Sequence, residues 1–186
     1  MDTESKKEGK NNKVLPYYFF KLVMKSVIRE ILSYVIIIVI VLFIKYYIAS
    51  PINVVGKSMV PTLHDRDLML LDEISYRFSD IKRFDIVVAR TKDGFIIKRV
   101  IGLPGEKIYA KDGVVYINDK KLKEDFKHSL TEDFKEVKIG NNSYFLLGDN
   151  RINSMDSRVY GTFSKKKIRG KTHVILYPFS RFGNIK

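Results

Sequence analysis

The chain of 186 residues is long enough for one compact domain with an anchor or tail, but too short for two independent domains. With 45% apolar and 12% aromatic residues, its composition excludes a protein that is disordered throughout. The absence of cysteine excludes disulfides, thiolate zinc sites, iron–sulfur clusters and a cysteine nucleophile. A formal net charge of +13 favours anionic partners. Nucleic acid and anionic lipid are both such partners, so the charge does not distinguish between them.

A basic segment, residues 1–30, opens the chain. Its part from 15 to 29 mixes aromatic side chains with cations, which fits an interfacial helix or a prolongation of an anchor, and the sequence leaves both open. The cations that precede the apolar run are Lys6, Lys7, Lys10, Lys13, Lys21, Lys25 and Arg29. Basic segments next to a membrane span tend to stay on the cytoplasmic side. We therefore expect this segment to be cytoplasmic and the domain after the span to lie outside.

The next segment, residues 31–49, is predicted to be a single transmembrane anchor. Residues 31–44 (ILSYVIIIVIVLFI) carry no charge, and the apolar stretch reaches Ala49 if Lys45 snorkels. A helix of this length spans about 28 Å, close to the hydrocarbon thickness. A buried helix would normally keep a polar face, which is absent here. A cleaved signal peptide would need a usable small-x-small pattern at the end of the run, which is also absent.

Residues 50–186 are predicted to form a mainly β extracytoplasmic domain, an antiparallel sheet or barrel-like structure. Short apolar runs alternate with turn signals at 68–71, 86–89, 95–101, 114–117, 144–147 and 174–177. The pair Asp112-Gly113 predicts a two-residue hairpin, and Asn118-Asp119 predicts a second turn. The polar residues 120–142 are predicted to be a surface excursion.

Two residues of this domain form a candidate nucleophile and base. Ser58 follows Gly56 and precedes a Met-Val-Pro turn, a setting as typical of a loop serine as of a nucleophile. Strand alternation places Lys98 on the same face as Ile96 and Val100. Burial there lowers the pKa of an amine from about 10.4, so a neutral Lys98 would take a proton from Ser58. A lysine with its stem on the sheet and its head in water is the alternative.

A third segment, residues 147–158 (LGDNRINSMDSR), crowds hydroxyl, amide and oppositely charged side chains behind an apolar run. It fits a polar surface turn. It also fits a segment that positions the candidate site, in which a hydroxyl orients the lysine and an Asp/Arg pair stiffens the loop.

Taken in order, residues 58–63 (SMVPTL), 98–105 (KRVIGLPG) and 148–158 (GDNRINSMDSR) resemble the conserved boxes of bacterial type I signal peptidases. Residues 83–88 (RFDIVV) resemble a further box. The resemblance implies a Ser/Lys serine protease of the single-anchor, Gram-positive-like branch in the plasma membrane. Such an enzyme removes signal peptides from exported preproteins through an acyl-enzyme, without a metal or cofactor. Its fold is mostly antiparallel β, with a substrate groove near the membrane.

The resemblance also implies a role for each matching residue. Ser58 corresponds to the nucleophile, Lys98 to the general base, and Ser154 to a hydroxyl that hydrogen-bonds the lysine. Asp156 and Arg158 match a structural ion pair.

The substrate groove and the oxyanion site follow from the same resemblance. We expect a peptide to bind by strand addition, with small side chains in two shallow pockets near Met59 and Ile96, which favours Ala-x-Ala sites. Some members carry a serine as an oxyanion donor two residues before the nucleophile. Here that residue is Gly56, so the amide of Ser58 is expected to be the main donor.

The sequence is less consistent with three other interpretations. A related Ser/Lys self-cleaving repressor would need a DNA-reading helical module where this chain has its apolar span. A membrane-tethered β module that binds peptides without catalysis would use the basic residues 165–171, but would not require Ser58 with Lys98. A metal site is not expected, because His64, His128 and His173 lack ligand-like spacing. The partners expected are therefore signal peptides and membrane lipid, and no nucleic acid.

Overall fold

The structure, a computed structural model, describes residues 5–47 and 49–185, and the side chains of residues 19–43 and 50–185. The chain forms two compact units, Met1–Tyr46 and Tyr47–Lys186.

The first unit is a single long helix, α1 (Ser5–Tyr47). Its stretch Phe19–Phe43 is long and apolar enough to cross a membrane, with a mean hydropathy of 2.4, and none of it is buried within the chain. This stretch begins well before residue 31, because the apolar residues between Lys21 and Arg29 extend the hydrophobic surface. The predicted N-terminal apolar helix is confirmed, while the exact bounds of a membrane crossing stay a prediction.

In its described residues, the second unit contains twelve antiparallel strands, two short α-helices and three single-turn 3-10 helices. The strands are β1 (Ala49–Asn53), β2 (Leu68–Asp72), β3 (Ile86–Thr91), β4 (Gly94–Gly102), β5 (Lys107–Lys111), β6 (Val114–Ile117), β7 (Lys120–Lys121), β8 (Phe134–Lys138), β9 (Ser143–Leu147), β10 (Phe163–Ser164), β11 (Ile168–Tyr177) and β12 (Gly183–Asn184). The helices are α2 (Ser75–Phe78) and α3 (Ser157–Tyr160).

These strands form two sheets, neither of which closes into a barrel. The large sheet has the order β1-β2-β11-β3-β4-β9-β10, with β12 paired to β11, and the small sheet has the order β7-β6-β5-β8. All recorded pairs are antiparallel. The prediction of a mainly antiparallel β domain is therefore confirmed, and its barrel-like variant is corrected to two open sheets.

Both predicted turns of the small sheet are present. Asp112 and Gly113 have positive φ values of 53° and 79° and join β5 to β6. Asn118 and Asp119, with φ values of 49° and 65°, join β6 to β7. Positive φ at both central residues is the geometry that matches the twist of a two-residue hairpin, and Asn, Asp and Gly tolerate it best.

Residues 120–142, which we expected to be a surface excursion, contain β7 and β8. The ring of Phe134 in β8 stacks on that of buried Phe145 at 5.4 Å between centroids. Thr131 and Ile139 are also buried. Sequence periodicity missed β8 because only two of its five side chains, Phe134 and Val137, are even partly buried.

Strand β4 is the element that positions the site. It pairs with β3 from Gly94 to Arg99, whereas β9 pairs with it only from Arg99 onward. Strand β1 lies at the edge of the large sheet and pairs only with β2. Within the described residues, the start of β4 and the whole of β1 therefore each keep one free backbone edge. A core cluster between these elements contains Val54, Met59, Leu63, Met69, Ile86 and Ile175.

Candidate active site

The loop between β1 and β2 presents Ser58 at the surface of this core. Met59 and Leu63 are both buried and are joined by a backbone hydrogen bond of 2.8 Å from Leu63 N to Met59 O. At the start of the loop, Gly56 adopts a φ of +88°, and its amide donates to Asp65 Oδ1 at 2.8 Å. The left-handed backbone there favours glycine. The loop is thus fixed on both sides of Ser58.

The side chains of Ser58 and Lys98 meet directly. Lys98 Nζ lies 2.7 Å from Ser58 Oγ and 3.0 Å from the carbonyl oxygen of Ile97. Lys98 is only 3% exposed, and burial lowers its pKa from 10.5 to about 8, although the negative charges of Asp156 and Asp149 oppose this shift. A substantial fraction of the amine is therefore neutral near pH 8, where it can accept a proton.

The next residue of β4, Arg99, makes an ion pair that sequence analysis missed. Its guanidinium contacts buried Asp149 through Nε at 2.9 Å and Nη2 at 2.6 Å. Asp149 also accepts from the hydroxyl of Thr62, in the loop of Ser58, at 2.5 Å. The ring of Phe126 lies 4.0 Å from the Arg99 guanidinium carbon. Strand alternation was the available signal, because it turns neighbours 98 and 99 to opposite faces.

The segment after β9 holds the nucleophile loop in place. Asn150 donates from its backbone amide to Ser58 O at 3.0 Å and from its side chain to Lys57 O at 3.1 Å. Asp156 accepts from the amide of Gly148 at 3.1 Å and from Arg158 Nε at 2.9 Å. The structure therefore brings Asp156 and Arg158 together as an ion pair.

Ser154 occupies an unusual position in this segment. Its buried hydroxyl has no hydrogen-bond partner within the described residues, so the bond to Lys98 expected from the resemblance is not formed here. The amine of Lys98 is instead directed at Ser58 Oγ and Ile97 O. A side chain at Gly148 would place its Cβ 2.2 Å from Ser154 Oγ and 2.5 Å from Ser58 O. These three residues are in close contact, and only glycine fits at 148.

A groove of about 510 Å³ runs from Ser58 and Lys98 between the chain after β1 and the start of β4. Met59 and Ile96 line it, and their role as substrate-groove residues stays a prediction. Its other lining residues are Ile52, Asn53, Val54, Val55, Val88, Phe95, Ile97, Met155, Tyr160 and Arg169. Most of these were missed because they come from separate segments that only the fold brings together.

Among the described residues, no group of three or more His, Asp or Glu side chains is placed to hold a metal ion.

Comparisons with known proteins identify the family of the chain. Residues 27–177 match the family model for signal peptidase, peptidase S26. Signal peptidase I S of Bacillus subtilis is 40% identical over 169 residues, which cover 84% of this chain and 92% of that protein. Signal peptidase I of Bacillus amyloliquefaciens is 35% identical, with both chains covered in full.

A solved structure is also similar, that of a signal peptidase I from Enterococcus faecalis. It is 32% identical and covers 50% of this chain and 97% of its own, with a TM-score of 0.45. The family match covers the apolar helix from residue 27 onward and all three segments that carry the site. The chain belongs to the peptidase S26 family of signal peptidases.

Proposed function

We propose that this type I signal peptidase, a serine endopeptidase, cuts exported preproteins with Ser58 as the nucleophile and Lys98 as the general base. One observation supports the residue assignment above all others. Lys98 Nζ lies 2.7 Å from Ser58 Oγ, and the amine is buried with a pKa lowered to about 8. A hydroxyl nucleophile needs a base within hydrogen-bond reach whose pKa lies near the working pH.

In the acylation step, the neutral amine of Lys98 takes the proton of Ser58 as Oγ bonds to the scissile carbonyl carbon. The tetrahedral oxyanion then collapses, the peptide C–N bond breaks, and Lys98 returns the proton to the leaving amine. The signal segment stays on Ser58 as an ester. Lys98 next takes a proton from water, whose oxygen attacks the ester and releases the carboxylate product, and the proton returns to Ser58 Oγ.

The oxyanion is proposed to be stabilised mainly by the amide of Ser58. Gly56 offers no side-chain donor, and its amide already donates to Asp65. A Cβ at position 56 would meet no atom within 4 Å, so the space beside the loop is open to solvent or substrate. Backbone donors fixed in advance are effective here, because they need no reorganisation as charge develops.

Three residues are proposed to support the dyad. Asp156 and Arg158 stiffen the loop through their ion pair, which Asp156 extends to the amide of Gly148. The hydroxyl of Ser154 is proposed to bind the amine of Lys98 when the lysine moves between Ser58 and the leaving group. Its buried, unpartnered oxygen supports this role, because such a group usually finds a partner in a working state.

The substrate is proposed to bind as an added strand between the free edges of β1 and β4. Main-chain hydrogen bonds would hold the peptide, and small side chains would enter the shallow apolar hollows at Met59 and Ile96, which favours Ala-x-Ala sites.

The family and the apolar helix indicate a membrane-anchored protein. We propose a single-pass orientation in the plasma membrane, with the basic N-terminus cytoplasmic, the β domain outside and lipid as the second partner. Nucleic acid is not expected. Neither the non-catalytic binding module nor the self-cleaving repressor is favoured, since the chain matches signal peptidases over most of its length.

The test is cleavage of a purified preprotein with an Ala-x-Ala site by the full-length enzyme in detergent. We expect a single cut after the second alanine by the wild type and no cut by Ser58→Ala. Undiminished cleavage by Ser58→Ala, with a contaminating protease excluded by inhibitors, would contradict the assignment.

A further inference from the structure

The end of the groove that lies away from the dyad contains a cation that the proposed mechanism does not use. Arg169, in β11, lines the same groove as Ser58 and Lys98. Its guanidinium carbon lies 5.4 Å from the centre of the Phe95 ring, and Nη2 lies 2.9 Å from Glu73 Oε1. These two contacts fix its direction, yet its side chain remains 42% exposed. A guanidinium held in this way has further N–H donors to offer.

A second cation lies on the same face. Arg90 of β3 is the direct cross-strand partner of Phe95, so the two side chains project from the same side of the sheet. Arg90 is exposed, and the described residues include no ion-pair partner for it. None of the described residues that line the groove is an aspartate or glutamate, since Glu73 contacts Arg169 from outside that lining. Arg169, whose charge Glu73 partly balances, is therefore the cation that lines this end of the groove, and Arg90 lies beside the lining.

The distance from the dyad places this charge on a specific part of the substrate. Phe95 lies three residues before Lys98 in β4, which corresponds to roughly 10 Å of extended chain. A peptide aligned along the free edge of β4 would thus reach Phe95 and Arg169 about four or five residues from the scissile bond. In the proposed function the groove holds the signal segment, so these substrate residues precede the cut.

We propose that Arg169, with Arg90 beside it, forms an anion-recognising subsite that favours an acidic side chain about four or five residues before the scissile bond. The inference rests on the proposed function and adds a charge preference to it. Because the pair would be partly solvated, we expect about a two- to fivefold preference in kcat/KM for glutamate over glutamine. A lysine at the same place should be disfavoured by a similar factor.

The test uses preproteins that share an Ala-x-Ala site and carry Glu, Gln or Lys at the fourth or fifth residue before the cut. Full-length wild type, Arg169→Gln and Arg169→Glu are compared in detergent at low salt. We expect Arg169→Gln to bring the three rates together and Arg169→Glu to invert the order, so that lysine is preferred. Lys166→Gln, which removes an exposed cation outside the groove, is the matched control and should leave the order unchanged. High salt should weaken the wild-type preference.

Three outcomes would overturn the proposal or separate it from its premise. Equal ratios in wild type and both Arg169 variants, with cleavage still dependent on Ser58, would refute the subsite and leave the proposed function intact. A loss in Arg169→Gln that is the same for all substrates and appears only in vesicles with anionic lipid would assign the cation to lipid headgroups instead. No cleavage of any substrate by wild type would refute the proposed function itself.

Discussion

Two consecutive residues of β4, Lys98 and Arg99, have opposite electrostatic environments. The environment of the first suits catalysis, and that of the second suits stability of the fold. Lys98 faces the groove, where it contacts a hydroxyl and a carbonyl oxygen and, in the part of the chain that the structure describes, no carboxylate. Arg99 faces the other side, where buried Asp149 neutralises it and Phe126 covers it. Burial without a counter-charge favours the neutral base, whereas burial with one favours a fixed ion pair.

The sharpest contrast should come from replacing each of these two residues with methionine. We expect Lys98→Met to lower kcat/KM by about 10³-fold or more, because the serine loses its base. The same change should not destabilise the fold near pH 7, since it removes a buried amine that is largely protonated there. Cleavage assays and chemical denaturation of the full-length protein measure the two effects.

The stability difference between wild type and Lys98→Met should depend on pH, because the pKa of Lys98 differs between the folded and unfolded chain. The folded pKa of Lys98, about 8, lies below its ordinary value of 10.5, so between these values the unfolded chain binds more protons. Wild-type stability should therefore rise from pH 8 to 10.5 through this residue, and any advantage of Lys98→Met should shrink over that window. A pH-independent difference would show that the amine is not perturbed.

Arg99→Met, unlike Lys98→Met, should destabilise the fold. It leaves Asp149 buried and without its cation, which typically costs about 3–5 kcal/mol in the free energy of unfolding. Lys165→Met is the matched control, because Lys165 pairs with exposed Asp80 at 3.3 Å and such surface pairs contribute about 0–1 kcal/mol. Denaturation curves that coincide for the two variants would mean that the Arg99 pair is not effectively buried.

Gly148→Ala tests the contact between the two regions. Its Cβ would lie 2.5 Å from the carbonyl oxygen of Ser58, a backbone atom that cannot move without displacing the nucleophile. We expect kcat to fall by about 10²-fold with a smaller change in KM, as for a displacement of about 1 Å at a reacting group. Gly161→Ala has open space around its Cβ, although its φ is +73°, and serves as a control for backbone strain alone. Equal losses in both variants would refute the steric explanation.

Ser154→Ala should have the smallest of these effects. Among the described residues its hydroxyl has no hydrogen-bond partner, so its removal should not lower the free energy of unfolding. If it binds the amine of Lys98 during the reaction, we expect kcat to fall by about tenfold, as for one lost hydrogen bond to a charged group. Ser154→Thr, which keeps the hydroxyl, should recover part of the rate. An unchanged kcat in Ser154→Ala would remove the residue from the mechanism.

The sequence predicted the parts of this molecule that depend on local pattern. Turn residues such as Asp112 and Gly113, and apolar runs such as that of β3, have signatures that act over a few positions. Ser58 and Lys98 could be proposed from the sequence because they lie within recognisable segments. Their 2.7 Å contact, by contrast, joins residues forty positions apart and depends on the fold.

Long-range contacts between polar residues were beyond sequence reasoning. Phe126 belongs to a polar segment that looked like a surface excursion, yet its ring covers the Arg99 guanidinium. Arg169 looked like part of a solvated basic run, and only the β3–β11 pairing brings it to the groove. In both cases the charge was visible in the sequence but its neighbours were not.

The dependence of kcat/KM on pH for the full-length enzyme, with an Ala-x-Ala preprotein in detergent, tests the role of Lys98 most directly. We expect the rate to rise with pH as one group loses a proton near pH 8, and then to level off, because the neutral amine is the active form. A rise centred near the ordinary lysine value of 10.5, or no rise between pH 7 and 9, would contradict a buried, neutral Lys98 as the base.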